Sequence, residues 1–155
     1  MIEVKAPNEY EYEIDDDPTI FLAGSIEMGV AERWQDKVVN ALAGYDCLVL
    51  NPRRDDFDPT AKQEASDPYF STQVNWELDA IEASDIVLFY FDPATKSPIT
   101  LLELGLVATA RSRAIVCCPE GFWRRGNVEI VCKRKGIILL NTLEELITQV
   151  TFLIR

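Results

Sequence analysis

Short apolar runs alternate along the chain with longer segments in which apolar residues recur at helical spacing. The apolar runs predict five strands, at residues 19–23, 47–50, 85–91, 114–118 and 137–140. The central run is apolar from residue 86 to residue 91, which is typical of a strand buried on both faces of a parallel sheet. The helical spacing predicts helices at residues 30–43, 68–83, 98–111, 127–135 and 143–154.

This alternation of strands and helices predicts an α/β domain with three layers and a mainly parallel sheet of five strands. Residues 1–17 are polar and acidic, so we expect a loose lead-in or an edge segment there, followed by one domain at 18–155. Ligands of such sheets bind beyond the carboxyl ends of the strands. We therefore expect a site built from residues 24–25, 51–53, 92–93 and 119–120.

The amino-acid composition excludes several types of catalysis and ligand. None of the 155 residues is histidine, which excludes Ser-His-Asp and Cys-His catalysis and every His-ligated metal site. The 26 acidic and 15 basic residues give a net charge of −11, and such a field opposes binding to nucleic acids and anionic membranes. We expect a small neutral ligand, with no metal and no cofactor. The chain has no apolar run long enough for a membrane span and no apolar signal-peptide core, so we expect a cytoplasmic protein.

The cysteines indicate packing rather than chemistry. Cys47, Cys117, Cys118 and Cys132 show no C-x-x-C spacing. We expect four buried free thiols in a reducing compartment.

Glu103 is the most informative polar residue. It lies on an apolar stripe of the predicted helix 98–111, near the end of that helix that follows the strongest strand. A carboxylate buried there is costly unless it is paired or used. Glu103 therefore either forms a buried ion pair, with Arg53 as a candidate partner, or takes part in chemistry at the carboxyl edge of the sheet.

Other candidates surround the same edge. Glu77 tilts toward the core side of its predicted helix, although a solvated face is the alternative. Asp92 ends the central strand and points into the crevice, or it forms an Asx turn. Gly24 and Ser25 form a turn whose N–H groups could hold a phosphate or a sugar hydroxyl. Several carboxylates without histidine suit glycosyl transfer, in which one acid attacks the anomeric carbon and a second group handles the leaving group's proton.

Four segments of the sequence resemble the nucleoside 2-deoxyribosyltransferase-like family. They read FLAGSIEMG, NWELDAIEASDIVLFYF, SPITLLELG and FWRRGNVEIV, and the resemblance covers about residues 18–141. It implies a flavodoxin-like α/β sandwich. It also implies an enzyme that exchanges the base of 2′-deoxynucleosides through a covalent glycosyl-enzyme intermediate, with nucleosides and free nucleobases as its partners.

The resemblance assigns catalytic roles to three acids. Glu103, in the segment LELG, would be the nucleophile that attacks C1′ of the sugar and releases the base. Glu77 stands where better-known members carry an Asp that contacts the leaving base. Asp92 lies in the loop that holds an Asp near the sugar in those members.

The resemblance also implies substrate-binding residues. Ser97 is the closest match to the sugar-contacting position, counting back from Glu103. Gly24 and Ser25 match the turn that related monophosphate hydrolases use to hold phosphate, but Glu27 follows where those relatives carry Arg. The family completes its sites from a neighbouring subunit, which implies a homo-oligomer. Asn127 is the candidate supplied in that way to the 5′ side of the sugar.

Two alternatives to base exchange stay open. The first is an N-glycosidase that uses water as the acceptor and acts on nucleosides or deoxynucleoside 5′-monophosphates. The second is a non-catalytic nucleotide-binding module on the same fold. Well-known members also carry a Tyr on the first strand that orients the nucleophile, whereas this strand reads Ile20-Phe21. The sequence therefore leaves the choice between deoxyribose and ribose open.

Overall fold

A computed structural model describes residues 1–10, 17–56, 58, 60–109 and 113–155. Within these ranges lie six strands and five helices. In chain order they are β1 (Ile2–Lys5), β2 (Thr19–Gly24), α1 (Trp34–Leu42), β3 (Leu48–Asn51), α2 (Pro68–Ala83), β4 (Ile86–Tyr90), α3 (Pro98–Val107), β5 (Ala114–Cys117), α4 (Arg125–Lys135), β6 (Ile138–Leu140) and α5 (Leu143–Leu153). A short 3₁₀ turn, Glu27–Gly29, follows β2.

The strands form one parallel sheet in the order β1-β3-β2-β4-β5-β6. Without β1, this is the strand order of a flavodoxin-like sheet. The predicted count of five strands is wrong by one, because Ile2–Lys5 pairs with β3 as an edge strand inside the predicted lead-in. An edge strand needs little burial, and the sequence IEVK has no apolar run to reveal it.

Helices cover both faces of the sheet. Phe21 and Phe89 pack on one face with residues of α2, α3 and α4, whereas Leu22 and Leu88 pack on the other with residues of α1 and α5. Successive residues of a strand point to opposite faces, so a strand covered on both sides must be apolar throughout. This confirms the predicted three-layer sandwich.

Two helices differ from their predicted extents by four residues at one end, and the other three agree to within two residues. α1 begins at Trp34 rather than at residue 30, because the 3₁₀ turn intervenes and leaves Val30 exposed. α3 ends at Val107, four residues earlier than predicted. On α2, Trp76 and Ile81 are buried, whereas Leu78 is partly exposed. The N-terminal segment packs over α2 and receives a hydrogen bond from the indole of Trp76, which the spacing along α2 could not reveal.

Two further sequence features have structural counterparts. The four cysteines are buried and free, which confirms the prediction of four buried free thiols. Among the described helices, none is long and apolar enough to cross a membrane.

Gly24 fixes the end of β2 against α1. A Cβ at this position would lie 2.5 Å from Cζ2 of Trp34 and 2.7 Å from the carbonyl oxygen of Tyr90. The absence of a side chain lets the indole reach over the strand end, where its N–H donates to the Ser25 carbonyl at 3.1 Å. The turn after β2 is therefore held in place by α1.

Candidate functional site

The crevice of this sheet lies at the carboxyl ends of β2 and β4. From β2 the chain crosses to β3 on one side, and from β4 it crosses to β5 on the other. Flavodoxin-like sheets bind ligands at such a switch point. Ser25 directly follows β2, and its N–H donates to the Tyr90 carbonyl at 2.9 Å, which joins the two strand ends. The candidate site is therefore the one that the sequence pattern predicts.

Three buried hydroxyl groups connect the loops around the crevice. Thr95 donates its hydroxyl toward Ser25 Oγ at 2.9 Å and lies 2.8 Å from Ser97 Oγ. Ser25 Oγ and Ser97 Oγ are themselves in hydrogen-bond contact. Ser25 Oγ also accepts the N–H of Asp92 at 2.9 Å. These contacts fix the β4–α3 loop against the turn after β2, and so fix where α3 begins.

The start of α3 is capped by a residue that is distant in sequence. Ser97 and Pro98 stand at the N-cap and first helical position, yet the Ser97 side chain caps nothing and its φ is +47°. A carboxylate from the turn after β2 does the capping instead. Oε1 of Glu27 accepts the N–H groups of both Lys96 and Ser97.

Glu103 is buried without a partner. It lies in the second turn of α3 and is only 8% exposed, and it forms no hydrogen bond or ion pair with any residue that the structure describes. The candidate partner Arg53 donates instead to the carbonyl groups of Ala31 and Glu32 and to the side chain of Gln35. Burial, with a smaller contribution from the nearby Glu77 carboxylate, raises the pKa of Glu103 to about 8.

Glu77 belongs to the same site. It projects from α2, and burial raises its pKa to about 6, against the opposing effect of a hydrogen bond from Gln73. Gln73 Nε2 donates to Glu77 Oε1 at 2.7 Å and to the Pro52 carbonyl at 3.0 Å. These two acceptors fix the orientation of the Gln73 side-chain amide. In this orientation Gln73 Oε1 is buried without a partner. Glu77 is half-buried, between the core side and the solvated face of α2.

The two carboxyl groups bind one proton between them near neutral pH. Glu77 ionises first, while Glu103 is still neutral, and its charge then opposes ionisation of Glu103. Between about pH 6 and about pH 8 the pair therefore consists of one acid and one carboxylate. In this form Glu103 holds the proton and Glu77 is the carboxylate.

Asp92 is held by the backbone on both of its oxygens. Oδ1 accepts the N–H of Ala94 at 2.8 Å, which is the Asx turn that the sequence left open, and Oδ2 accepts the N–H of Glu32 at 3.0 Å. These contacts tie the β4–α3 loop to the segment before α1. The geometry gives Asp92 an anchoring role, and its contact with a substrate stays a prediction.

The structure places the remaining predicted residues as follows. Gly24 and Ser25 form the turn after β2, but the Ser25 N–H is already used by Tyr90. Asn127 lies in the first turn of α4 and is exposed, and it takes no part in the hydrogen bonds that join the site loops. Among the described residues, no group of three or more acidic or cysteine side chains is arranged to hold a metal ion.

Sequence reasoning missed three residues of this site. Gln73 lies one helical turn before Glu77, and this spacing could have revealed it as a partner. No sequence pattern indicates Thr95, because only the fold brings its hydroxyl group into contact with Ser25. Glu27 was visible only as an acid after the Gly-Ser turn, with no indication that it reaches the start of α3.

Most of the chain matches the model of a known protein family. The model of the family described as nucleoside 2-deoxyribosyltransferase like matches residues 17–122. The chain belongs to this family. The match includes the crevice loops, Glu77 and Glu103, and it ends before Asn127. No curated protein matches the chain.

The burial of Glu103 predicts a pH-dependent cost to stability. The folded protein retains a proton on Glu103 that the unfolded chain loses near pH 4.5, so stability falls as pH rises toward about 8. The Glu103→Gln variant lacks this cost. We expect the difference between its free energy of unfolding and that of the wild type to increase by about 1.4 kcal/mol for each pH unit across this window.

Urea denaturation at several pH values between 5 and 8 measures this difference. Glu82→Gln, at an exposed position of the same helix as Glu77, is the matched control and should follow the wild-type curve. Parallel curves for Glu103→Gln and the wild type would show that Glu103 ionises as an ordinary surface carboxyl group.

Proposed function

We propose that this protein is a nucleoside 2′-deoxyribosyltransferase that exchanges the base of 2′-deoxynucleosides through a covalent intermediate on Glu103. The observation that carries the proposal is the unpaired burial of Glu103 at the switch point of the sheet, beside a second carboxyl group. A buried carboxyl group without a partner destabilises the fold, and such groups are concentrated at functional sites. Membership of the family supports the same reaction.

Before the first step, the proton that Glu103 holds in the free protein moves to Glu77. A Glu103 carboxylate oxygen then forms a bond to C1′ while the bond from C1′ to the base nitrogen breaks. The electron pair of that bond goes to the base, and Glu77 in its acid form donates the proton that the base takes up. The products are a deoxyribosyl ester of Glu103 and a free nucleobase. Glu77 is left as a carboxylate.

The second step reverses the roles with another base. A ring nitrogen of the incoming base attacks C1′, the ester bond breaks, and the Glu103 carboxylate is restored. Glu77 accepts the proton that the incoming base loses. The pair therefore ends with the one proton with which it began, and no further acid or metal is needed to balance the reaction.

The electrostatics of the pair determine which group holds the proton before the reaction. Of the two groups, Glu77 has the stabilised carboxylate, because Gln73 donates a hydrogen bond to it. Glu103 receives no donor, so its carboxylate is poorly stabilised in the free protein and gains most from the positive charge that develops at C1′. The less stable of the two carboxylates is thus the proposed nucleophile.

The direct test is chromatography of the protein with 2′-deoxyinosine, with and without an excess of free cytosine or adenine. We expect a new deoxynucleoside only when the acceptor base is present, and no reaction with Glu103→Gln. Glu82→Gln should react as the wild type does, because this exposed side chain lies outside the pair. Release of hypoxanthine without exchange would identify a hydrolase instead, and no release at all would favour a nucleotide-binding module.

The pH dependence tests the shared proton. The active form carries one proton on the pair, so kcat/KM should follow a bell-shaped curve with limbs near pH 6 and pH 8. Glu77→Gln removes the proton donor and the neighbouring charge, and should lower kcat/KM and abolish the bell shape. A wild-type profile that is flat from pH 5 to pH 9 would contradict a role for this pair.

We also propose that the protein acts as a homo-oligomer joined through α3. Ile99, Leu102 and Leu106 form an exposed apolar stripe on this helix, with exposures of 59%, 60% and 56%. The opposite side of α3 carries Glu103 and packs on the sheet, so the helix is apolar on both sides. A second copy of the chain would cover the stripe and bring its own residues, with Asn127 as the candidate, to the sugar side of the site.

Charge substitution on the stripe tests this assembly. Leu102→Lys should shift the molar mass in light scattering to that of a monomer and reduce base exchange. Phe152→Lys changes an equally exposed apolar residue on α5, on the other face of the sheet, and should alter neither property. Full activity of a monomeric protein at nanomolar concentration would contradict the contribution of Asn127.

A further inference from the structure

The side-chain amide of Gln73 joins Glu77 to the loop after β3. Gln73 and Glu77 lie four residues apart on the same face of α2, and Nε2 of Gln73 donates to Glu77 Oε1 at 2.7 Å. The same nitrogen donates to the carbonyl oxygen of Pro52 at 3.0 Å. An amide nitrogen carries two hydrogen atoms, so both donors of Gln73 are in use.

The Pro52 carbonyl group is a fixed acceptor. On one side of it, Asn51 Nδ2 donates to Glu3 Oε1 at 2.8 Å, and Asn51 Oδ1 accepts the N–H of Arg53 at 3.0 Å. On the other side, the buried guanidinium group of Arg53 donates to two carbonyl groups before α1 and to the side chain of Gln35. The ring of Pro52 fixes its own φ. The carbonyl group therefore cannot turn away from Gln73 without breaking several of these hydrogen bonds.

This acceptor prevents the Gln73 amide from reversing. Reversal would place Gln73 Oε1 at the position that Nε2 now holds, 3.0 Å from the Pro52 oxygen, and two acceptors at that distance repel one another. In the observed orientation Gln73 Oε1 is buried and has no partner. A buried acceptor without a donor is costly, so the two N–H contacts determine the orientation. Gln73 thus faces Glu77 only as a donor.

The two oxygen atoms of Glu77 are therefore not equivalent. Oε1 accepts the N–H of Gln73, whereas Oε2 accepts a hydrogen bond from no residue that the structure describes. The carbonyl oxygen of a carboxylic acid is a better acceptor than its hydroxyl oxygen, so a donor at Oε1 favours a proton on Oε2. Among the described residues, Glu103 on α3 is the titratable group that interacts with Glu77 from another element.

We infer that Gln73 is a positioning residue that keeps Oε1 of Glu77 as an acceptor, so that Oε2 carries and delivers the proton. This inference rests on the proposed function. When the base leaves, the O–H bond at Oε2 breaks, the proton goes to the base nitrogen and the electron pair stays on Oε2. When the second base enters, Oε2 takes the proton that this base loses. Oε1 keeps its donor throughout, so the carboxyl group need not rotate between the two steps.

Neutron diffraction from crystals of the deuterated protein at pH 5 tests this arrangement without any requirement for catalysis. Glu77 is in its acid form at this pH, because its pKa is about 6. We expect deuterium on Glu77 Oε2, and the two amide deuterons of Gln73 directed at Glu77 Oε1 and at the Pro52 oxygen. Deuterium on Glu77 Oε1, or a reversed amide, would overturn the inference.

The Gln73→Met variant separates position from acidity. It removes the donor and keeps a side chain of similar length, so the acid limb of kcat/KM should move up by at least about one pH unit, which is tenfold in the ionisation constant. A more basic Glu77 takes the proton from Glu103 more readily, so a change in acidity alone would leave kcat unchanged or raise it. Loss of position should instead lower kcat by at least about tenfold, with little change in KM. An acid limb that does not move, or a kcat equal to or above that of the wild type, would overturn the inference.

Two further variants serve as controls. Asn75→Leu removes an amide from an exposed position of α2, where Nδ2 donates to the Ser71 carbonyl of the same helix, and it should keep the wild-type kcat and pH profile. Gln73→Lys keeps donors at position 73 and adds a positive charge, so its acid limb should lie below that of the wild type. An acid limb of Gln73→Lys as high as that of Gln73→Met would contradict a donor role for this position.

If the wild type exchanges no base, the proposed function fails. The neutron structure then decides separately whether Gln73 restricts the proton of Glu77 to Oε2.

Discussion

An unpaired carboxyl group inside the helix layer is the constraint on which the rest of the site depends. Glu103 has no hydrogen-bonding or ionic partner among the described residues, so it can be tolerated only where the surrounding structure is fixed by other means. The parallel sheet provides that support, with apolar residues on both of its faces. The stability supplied by this core offsets the cost of burying an unpaired acid.

The loops around the crevice are held by polar contacts between residues that are distant in sequence. Ser25, Thr95 and Ser97 share buried hydroxyl contacts, and Asp92 links the same loop to the segment before α1. Each contact joins the end of β2 to the start of α3. Because α3 carries Glu103, this network determines where the carboxyl group stands relative to anything bound in the crevice.

The two acids differ because their surroundings differ. Glu103 is buried and Glu77 is half-buried, and only Glu77 receives a hydrogen bond, from Gln73. The difference places the pKa values on opposite sides of neutrality, at about 6 for Glu77 and about 8 for Glu103. Two residues of the same type thus differ in protonation near neutral pH, in a chain that contains no histidine.

The sequence by itself determined the fold class and five of the six strands, because apolar periodicity reports burial directly. It also singled out Glu103, since an acid on an apolar stripe conflicts with its surroundings. Only the tertiary structure decided that Arg53 is not its partner, that Glu77 is the half-buried acid near it and that Glu27 reaches the start of α3. Those facts depend on contacts between distant segments, and neither spacing nor composition specifies which donor a given acceptor will meet.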